Sequence, residues 1–246
     1  MNKWLTSTAL AGALAIAAPA LAFEEAPELA EKVAAGELPP VDERLPSDPL
    51  VMDVIDGPGE YGGTLRRAIL GGGDQHNMVR TIGSDNMVRW SPDWKEVRPN
   101  IAKSWDVSED ASKFTFHLRT GMKWSDGAPF TADDILFWYE DIFLDPKLTP
   151  NKDATFIGPA GPVKITKIDD VTVEFDFGAP NGLFLQALAY GFGYHPAAYP
   201  KHYLSQFMPK YNDDVQALVD AEPVANDWVQ LFNLKAGPMY TPLFWQ

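Results

Sequence analysis

The clearest periodicity in the chain is an alternation of apolar and polar residues over Lys113–Arg119. Phe114, Phe116 and Leu118 share one face, and the residues between them are polar. A period of two is typical of a strand that buries one face and exposes the other. The sequence therefore predicts that this segment belongs to a sheet with one side against the core.

Further strands are predicted on both sides of this segment. Two apolar runs, Val163–Ile168 and Val171–Phe177, flank the pair Asp169-Asp170 and predict a β-hairpin. Earlier in the chain, the run Thr64–Leu70 predicts a strand that ends at a triplet of glycines. These strands make a sheet the expected centre of the fold.

The strongest helical period follows, over Ala132–Leu144. Its apolar positions have the spacing i, i+3, i+4, i+7 of a helix with one buried face, namely Ile135, Trp138, Tyr139 and Ile142. Thr131 is placed to cap the first turn, and Asp133 and Asp134 suit the positive end of the helix dipole. Trp138 is expected in the core.

Shorter helices are predicted elsewhere, at Glu28–Ala35, Leu183–Tyr190, Pro196–Gln206 and Asn212–Ala221. Strands and helices do not alternate regularly, so the pattern predicts a mixed α/β fold. Several prolines in Phe23–Pro58 exclude a long regular element there, and this segment is expected to form an extended arm.

The first 22 residues have the organisation of a secretory signal peptide. Lys3 is the only charge, an apolar stretch occupies Leu5–Ala18, and Pro19 precedes the small-residue pattern Ala20-Leu21-Ala22. This pattern predicts export and cleavage after Ala22. The alternative is a membrane anchor, for which the stretch is marginal in length and apolarity.

Composition excludes several functional classes. The 246 residues carry 20 Lys and Arg against 34 Asp and Glu, a formal net charge of −14. Such a charge repels phosphate backbones, so nucleic acid is not an expected partner. Because the chain has no cysteine, disulfides, thiolate metal sites and a cysteine nucleophile are excluded.

Carboxylates are plentiful, and a glycosidase-type pair is the catalytic alternative. Such a pair faces across a cleft. The acidic neighbours Asp133 with Asp134 and Glu140 with Asp141 lie side by side on one helix, where adjacent residues do not face each other. They are interpreted as a first-turn charge pair and a solvated face.

The histidines give only weak support for a metal site. His195 and His202 are two helical turns apart, but Pro196 interrupts the helix and no third ligand follows at a recognisable spacing. No metal and no cofactor are therefore expected.

Two features suit ligand binding better. The glycines Gly71–Gly73 lack the motif of a phosphate loop, but they allow backbone to approach a ligand closely. Trp90 and Trp94 lie in an irregular stretch, Trp90–Trp105, where an indole can stack on a sugar ring or a peptide side chain. Burial of these rings beneath a loop or between lobes is the alternative.

Three consecutive runs of the sequence form a longer motif: Pro99–Asp110 (PNIAKSWDVSED), Phe114–Arg119 (FTFHLR) and Gly121–Asp134 (GMKWSDGAPFTADD). Together they resemble the signature region of the family 5 extracellular solute-binding proteins, the peptide/nickel-type receptors of ABC importers. The resemblance extends to the family's first strand, its hairpin and its P-K-H-Y turn, at Tyr61–Arg66, Val163–Phe177 and Pro200–Leu204.

The resemblance implies a periplasmic, non-enzymatic receptor of two α/β lobes that closes around a solute and delivers it to a membrane permease. Residues 59–246 would be the first lobe, of the type II periplasmic binding protein class, and the second half would be missing. Family groups that anchor peptide termini belong mostly to that half, so the candidate contacts here are Gly73, Asp74, Gln75, His76, Asn77, Trp90 and Trp94.

A peptide is the first expected ligand and an oligosaccharide the second, because the arm Phe23–Pro58 resembles the extended N-terminus of larger members, some of which take oligosaccharides. A nickel chelate is third. Two alternatives to a receptor remain: a secreted hydrolase that uses carboxylates, and a truncated product without function whose exposed lobe interface favours aggregation.

Overall fold

The computed structural model describes residues 23–52, 54–57, 59–68, 70–71, 74, 85–190 and 193–237. The expected signal peptide, residues 1–22, lies outside this range. The chain divides into two compact units, Met1–Asp42 and Glu43–Gln246. In the part described, no helix is both long enough and apolar enough to cross a membrane.

The described residues form eight strands and seven α-helices. The strands are β1 (Val88–Trp90), β2 (Val97–Pro99), β3 (Ala102–Val107), β4 (Lys113–Leu118), β5 (Ile157–Gly158), β6 (Gly161–Pro162), β7 (Lys164–Asp169) and β8 (Thr172–Asp176). The helices are α1 (Pro27–Ala34), α2 (Val41–Arg44), α3 (Ala132–Phe137), α4 (Phe184–Leu188), α5 (Lys201–Leu204), α6 (Val215–Asp220) and α7 (Trp228–Lys235). Single 3-10 turns occur at Ala154–Phe156, His195–Ala197 and Ser205–Phe207.

A four-stranded antiparallel sheet in the order β3-β4-β8-β7 forms the centre of the second unit. The strand predicted from alternation is β4, and its apolar face is buried as expected, whereas the side chains between are more exposed. The predicted hairpin is β7–β8, in which the Asp169 carboxylate accepts a hydrogen bond from the Val171 N–H at 2.8 Å. Both predictions are confirmed.

The core over this sheet is rich in aromatic rings, and Phe184 of α4 lies at its centre. Only 1% of Phe184 is exposed. Five phenylalanine rings have centroids 4.7–6.3 Å from its own, those of Phe114, Phe116, Phe156, Phe175 and Phe177. Most of these contacts are edge-on, the arrangement that the ring quadrupole favours.

Helix α3 begins with the predicted cap. The Thr131 hydroxyl accepts the Asp133 N–H at 3.2 Å, and Asp134 reaches back to the Thr131 N–H at 2.9 Å, which completes a capping box. The helical path continues to Phe143, but Trp138–Phe143 is wound as a π-helix. Trp138 is in the core, as predicted.

Asp133 and Asp134 lie in the first turn of α3, as predicted, whereas the solvated face predicted at Glu140 and Asp141 is wrong for Asp141. Asp134 is 4% exposed and also accepts the backbone N–H of Lys201 at 2.9 Å. Asp141 is 6% exposed, and its carboxylate binds the Lys210 ammonium and accepts the Tyr211 hydroxyl at 2.5 Å. Their partners lie about 70 residues further on, beyond any pattern within the helix.

Burial has the larger effect on the Asp134 carboxyl and raises its pKa. The hydrogen bonds from Thr131, Lys201 and the Trp124 side chain act in the opposite direction. The carboxyl therefore joins the start of α3 and the start of α5 at one buried point.

Two other predicted elements differ from the observed secondary structure. The segment Pro196–Gln206 is not one helix but a 3-10 turn, α5 and a second 3-10 turn, because Pro200 has no N–H to continue a helix and instead stands at the N-cap of α5. The predicted strand Thr64–Leu70 is also wrong for residues 64–68, which are exposed and unpaired with any described strand. Strand geometry requires a hydrogen-bonded neighbour.

His195 occupies the first of these turns, between two tyrosines. Its ring centroid lies 4.5 Å from that of Tyr194 and 6.2 Å from that of Tyr199, and the Tyr199 hydroxyl is 3.3 Å from Nδ1. Burial lowers the pKa of His195 below its ordinary 6.5, and the Asp153 carboxylate opposes this shift in part. The same burial raises the pKa of Tyr199 to about 12.

Replacement of Phe184 tests its assignment to the centre of the core. We expect Phe184→Ala to lower the free energy of unfolding by about 3–5 kcal/mol, because five rings lose a partner and a cavity remains. Leu183→Ala is the matched control: that neighbour is 72% exposed, and its loss is expected to cost less than about 0.5 kcal/mol. Chemical denaturation measures both, and equal effects would contradict the assignment of Phe184 to the core.

The His195 environment predicts a pH dependence of stability. Because the folded-state pKa lies below 6.5, the unfolded chain binds the proton first, so the free energy of unfolding falls as pH drops below about 6.5. Each unit of pKa difference contributes about 1.4 kcal/mol. The difference in free energy of unfolding between the parent chain and His195→Gln is expected to be constant above pH ~7 and to shift in favour of the variant as pH falls below about 6.5. A constant difference throughout would contradict this prediction.

Candidate functional site

The two predicted tryptophans lie on one β-hairpin. Strands β1 and β2 pair antiparallel, with Trp90 opposite Val97 and Arg89 opposite Arg98. Trp94 lies in an irregular turn, residues 91–96, as expected, but Trp90 ends β1, and β2 and β3 occupy much of the stretch as far as Trp105. Each of the first two strands has only three residues, too few for an alternation to be recognised.

The buried side chain of Ser91 fastens the turn of this hairpin. Its hydroxyl donates to the Asp93 carboxylate at 2.7 Å and accepts the backbone N–H groups of Lys95 and Glu96 at 3.1 and 3.2 Å. The Ser91 N–H donates to the Glu96 carbonyl at 2.8 Å and closes the ladder. Four hydrogen bonds thus fix six residues in one conformation.

Trp94 stands at the tip in a strained backbone conformation. Its φ is +60°, the left-handed region that a bulky residue rarely adopts. The indole is 64% exposed and stacks on that of Trp90, with ring centroids 5.9 Å apart and planes inclined by 28°. The turn therefore holds a flat aromatic face toward solvent at a cost in backbone strain.

Charges surround the tip but are largely paired with one another. Hydrogen bonds from Lys95 and then Ser91 lower the pKa of Asp93, and the Lys95 ammonium lies 2.8 Å from its carboxylate. On β2, the Arg98 guanidinium contacts the Glu96 carboxylate at 2.7 Å. These groups offer a ligand hydrogen bonds rather than a strong field of one sign.

A shallow groove of about 210 Å³ lies beside the hairpin turn. Pro92, Asp93 and Arg98 line one side, and Val54 and Ile55 of the preceding segment line the other. Both aliphatic side chains are more than half exposed, so the groove has one apolar wall open to solvent.

The buried residue Arg119 anchors the segment that supplies this wall. Its guanidinium donates to the Asp48 carbonyl at 2.6 Å through Nη1 and to the Asn100 carbonyl at 2.9 Å through Nε. Burial lowers the pKa of Arg119, and the Asp48 carboxylate opposes that shift. Ser47 adds a backbone hydrogen bond to the Thr120 carbonyl at 3.0 Å, so residues 47–48 are attached along the end of β4.

Of the predicted glycine-loop contacts, only Asp74 is described. Its carboxylate accepts the Leu70 N–H at 2.8 Å, and its own N–H donates to the Gly71 carbonyl at 3.0 Å, so its described contacts are local. Gly73, Gln75, His76 and Asn77 lie outside the described residues. The structure therefore brings together Trp90 and Trp94 but does not test the rest of the predicted set.

Sequence reasoning missed Ser91 and the arm residues Val54 and Ile55. A signal for the turn was present, because Ser91-Pro92-Asp93 is a typical turn sequence. The arm gave no such signal, since its place beside the hairpin depends on Arg119, about 65 residues further along the chain.

The site is suited to binding. It offers an aromatic face for stacking, an apolar wall and several hydrogen-bonding groups, a combination typical of solute recognition. Within the described ranges, no group of three or more His, Asp or Glu residues lies close enough to hold a metal ion.

Comparison with known proteins places this geometry in a family. Residues 96–227, more than half of the chain, match the profile of bacterial extracellular solute-binding proteins, family 5 (middle region). The periplasmic alpha-galactoside-binding protein of Rhizobium meliloti (strain 1021) is 41% identical over 73% of the chain. The periplasmic oligopeptide-binding protein OppA of Escherichia coli (strain K12) is 29% identical over 58% of it.

Solved structures of periplasmic binding proteins are also similar to this chain. An oligopeptide-binding protein OppA superposes on 87% of the chain with a TM-score of 0.78 and 42% identity. The periplasmic binding protein MelB of Agrobacterium fabrum C58, in complex with stachyose, covers 81% with a TM-score of 0.61 and 33% identity. The expected mixed α/β fold of a periplasmic binding protein is confirmed.

The chain spans about a third of the relatives it matches, 28% of the Rhizobium protein and 33% of each of these two structures. The profile match nevertheless covers the four-stranded sheet, α3 to α6 and the whole second strand of the candidate hairpin. The chain belongs to the family 5 bacterial extracellular solute-binding proteins.

Proposed function

We propose that this chain is part of a periplasmic receptor that captures a solute and delivers it to the membrane permease of an ABC importer. Membership of the solute-binding family carries the proposal, and the exposed indole of Trp94 on a fastened turn supports a binding role. Relatives described as periplasmic binding proteins support the location. The receptor binds without turnover, and it needs no catalytic residue.

We place the ligand site at the Trp90–Trp94 hairpin and the adjoining arm. A rigid aromatic platform gives affinity because little conformational entropy is lost when a ligand stacks on it. The strain at Trp94 has a purpose in this interpretation, since it keeps the indole exposed rather than folded into the core. The loop that contains Asp74 is retained as a second contact region.

An oligosaccharide of the α-galactoside type is the ligand class we place first, ahead of the peptide expected from sequence. The galactoside-binding relative is similar over 73% of the chain, and the stachyose complex superposes on 81%. The exposed indole of Trp94, stacked on the half-buried Trp90, also suits the flat face of a sugar ring. An oligopeptide is the second class, favoured by the 42% identity to an oligopeptide-binding protein.

Ligand-dependent unfolding tests the receptor and its solute class. Stachyose, trialanine and a nickel–histidine chelate are added separately to the chain, and the unfolding midpoint is recorded. A ligand that binds only the folded form adds about 2.7 kcal/mol at a hundredfold excess over Kd. We expect stachyose to raise the midpoint; a shift with trialanine alone would move the assignment to peptides, and no shift with any compound would contradict a usable site in this chain.

The variant Trp94→Gly then locates the site. Glycine accepts the positive φ, so the free energy of unfolding without ligand is expected to stay within about 1 kcal/mol of the parent, while Kd for stachyose rises about tenfold. Ala111→Gly is the matched control, because Ala111 also has positive φ, +53°, in the turn before β4. Unchanged affinity in Trp94→Gly would contradict the role of the hairpin.

A further inference from the structure

A second groove lies away from the aromatic hairpin, at the end of the helical segment 132–143. Its volume is about 360 Å³, within the range of roughly 300–1,000 Å³ typical of small-molecule sites. Three parts of the chain line it: the segment Glu140–Lys147, the loop Met208–Lys210 and Trp228 at the start of α7. None of these residues belongs to the site proposed above.

The first of these parts ends a π-helix, a rare conformation that is frequent at functional sites. In this turn Asp141 is buried and its neighbour Glu140 is exposed at the rim of the groove. The buried carboxylate holds the loop through Lys210 and Tyr211, as described above. In the π-helical turn, the Asp141 carboxylate therefore has a structural role, and the Glu140 carboxylate lies at the surface.

Part of the groove wall is apolar and aromatic. Met208 is 3% exposed, and Leu144 and Pro209 lie beside it. The half-buried indole of Trp228 adds a flat face to this lining, and the ammonium of Lys147 lies 5.8 Å from the centre of its ring. This lining suits the apolar side chain of a small ligand.

Two opposite charges on the rim form no ion pair with another described residue. The Asp145 carboxylate accepts the backbone N–H of Lys147 at 2.6 Å, and Lys210 is paired with Asp141. By contrast, among the described residues Glu140 forms no hydrogen bond or ion pair, and the Lys147 ammonium pairs with no carboxylate. Glu140 and Lys147 line the same groove but do not pair with each other.

We propose that this groove binds a free α-amino acid with an aromatic or aliphatic side chain. The ammonium of the ligand pairs with Glu140, its carboxylate pairs with Lys147, and its side chain packs on Trp228. A zwitterion satisfies both charges at once, whereas a simple cation or anion would leave one of them facing a like charge. The groove is distinct from the solute site and does not depend on its assignment.

L-Phenylalanine and two derivatives test each charge separately. L-Phenylalaninamide lacks the carboxylate, and N-acetyl-L-phenylalanine lacks the ammonium. Binding to the chain is followed by titration with ligand-observed NMR. We expect L-phenylalanine to bind about tenfold more tightly than either derivative, since each derivative loses one charge-assisted hydrogen bond.

Variants at the rim assign each contact. Lys147→Gln should abolish the preference for L-phenylalanine over the amide, and Glu140→Gln should abolish the preference over the N-acetyl derivative. Both side chains are exposed, so folding is expected to persist, and thermal unfolding checks this. Lys95→Gln, on the other site, is the matched control and should change neither preference.

Three results would overturn the proposal. They are the absence of saturable binding of L-phenylalanine, preferences that survive in both rim variants, and a loss of binding in Trp94→Gly with the rim variants unaffected. The last result would place amino-acid binding at the aromatic hairpin, and it would support the solute site while removing this one. If stachyose fails to bind at the solute site, by contrast, the ligand preferences expected of the two rim variants are unaffected.

Discussion

The buried carboxylate of Asp134 is the interaction on which the arrangement of this fold depends. It accepts the N–H groups of Thr131 and Lys201, and so it links the start of α3 to an element 67 residues later. A carboxylate in this position must keep its hydrogen bonds, because an unsatisfied buried group costs about 1–3 kcal/mol. The start of α3 and the start of α5 are thereby held together.

Sequence patterns identified the elements whose signal is local. The alternation in Lys113–Arg119 and the cap at Thr131 depend on near neighbours, and the structure confirms both. The burial of Asp134 and Asp141 was not predictable, because the groups that satisfy them come from segments about 70 residues away. The strand predicted at Thr64–Leu70 is wrong for residues 64–68, because a local pattern alone does not provide a hydrogen-bonded neighbour strand.

The candidate site also combines features that could be predicted from the sequence with features that could not. Two tryptophans in a turn-rich stretch indicated an aromatic surface, and the structure stacks them. What sequence did not reveal is that Ser91 fixes the turn and that Trp94 has positive φ. A position of backbone strain that is held by several hydrogen bonds represents preorganisation: the energetic cost of presenting the indole is met during folding, so binding need not supply it.

The attachment of the arm to Arg119 has a consequence for the order in which the chain assembles. Asp48 and Arg119 are 71 residues apart, so their contact closes a long loop, whereas the β3–β4 and β7–β8 hairpins form from near neighbours. Residues 47–48 are synthesised before β4 but cannot make these contacts until β4 has formed. We therefore expect their attachment to follow the two local hairpins during folding.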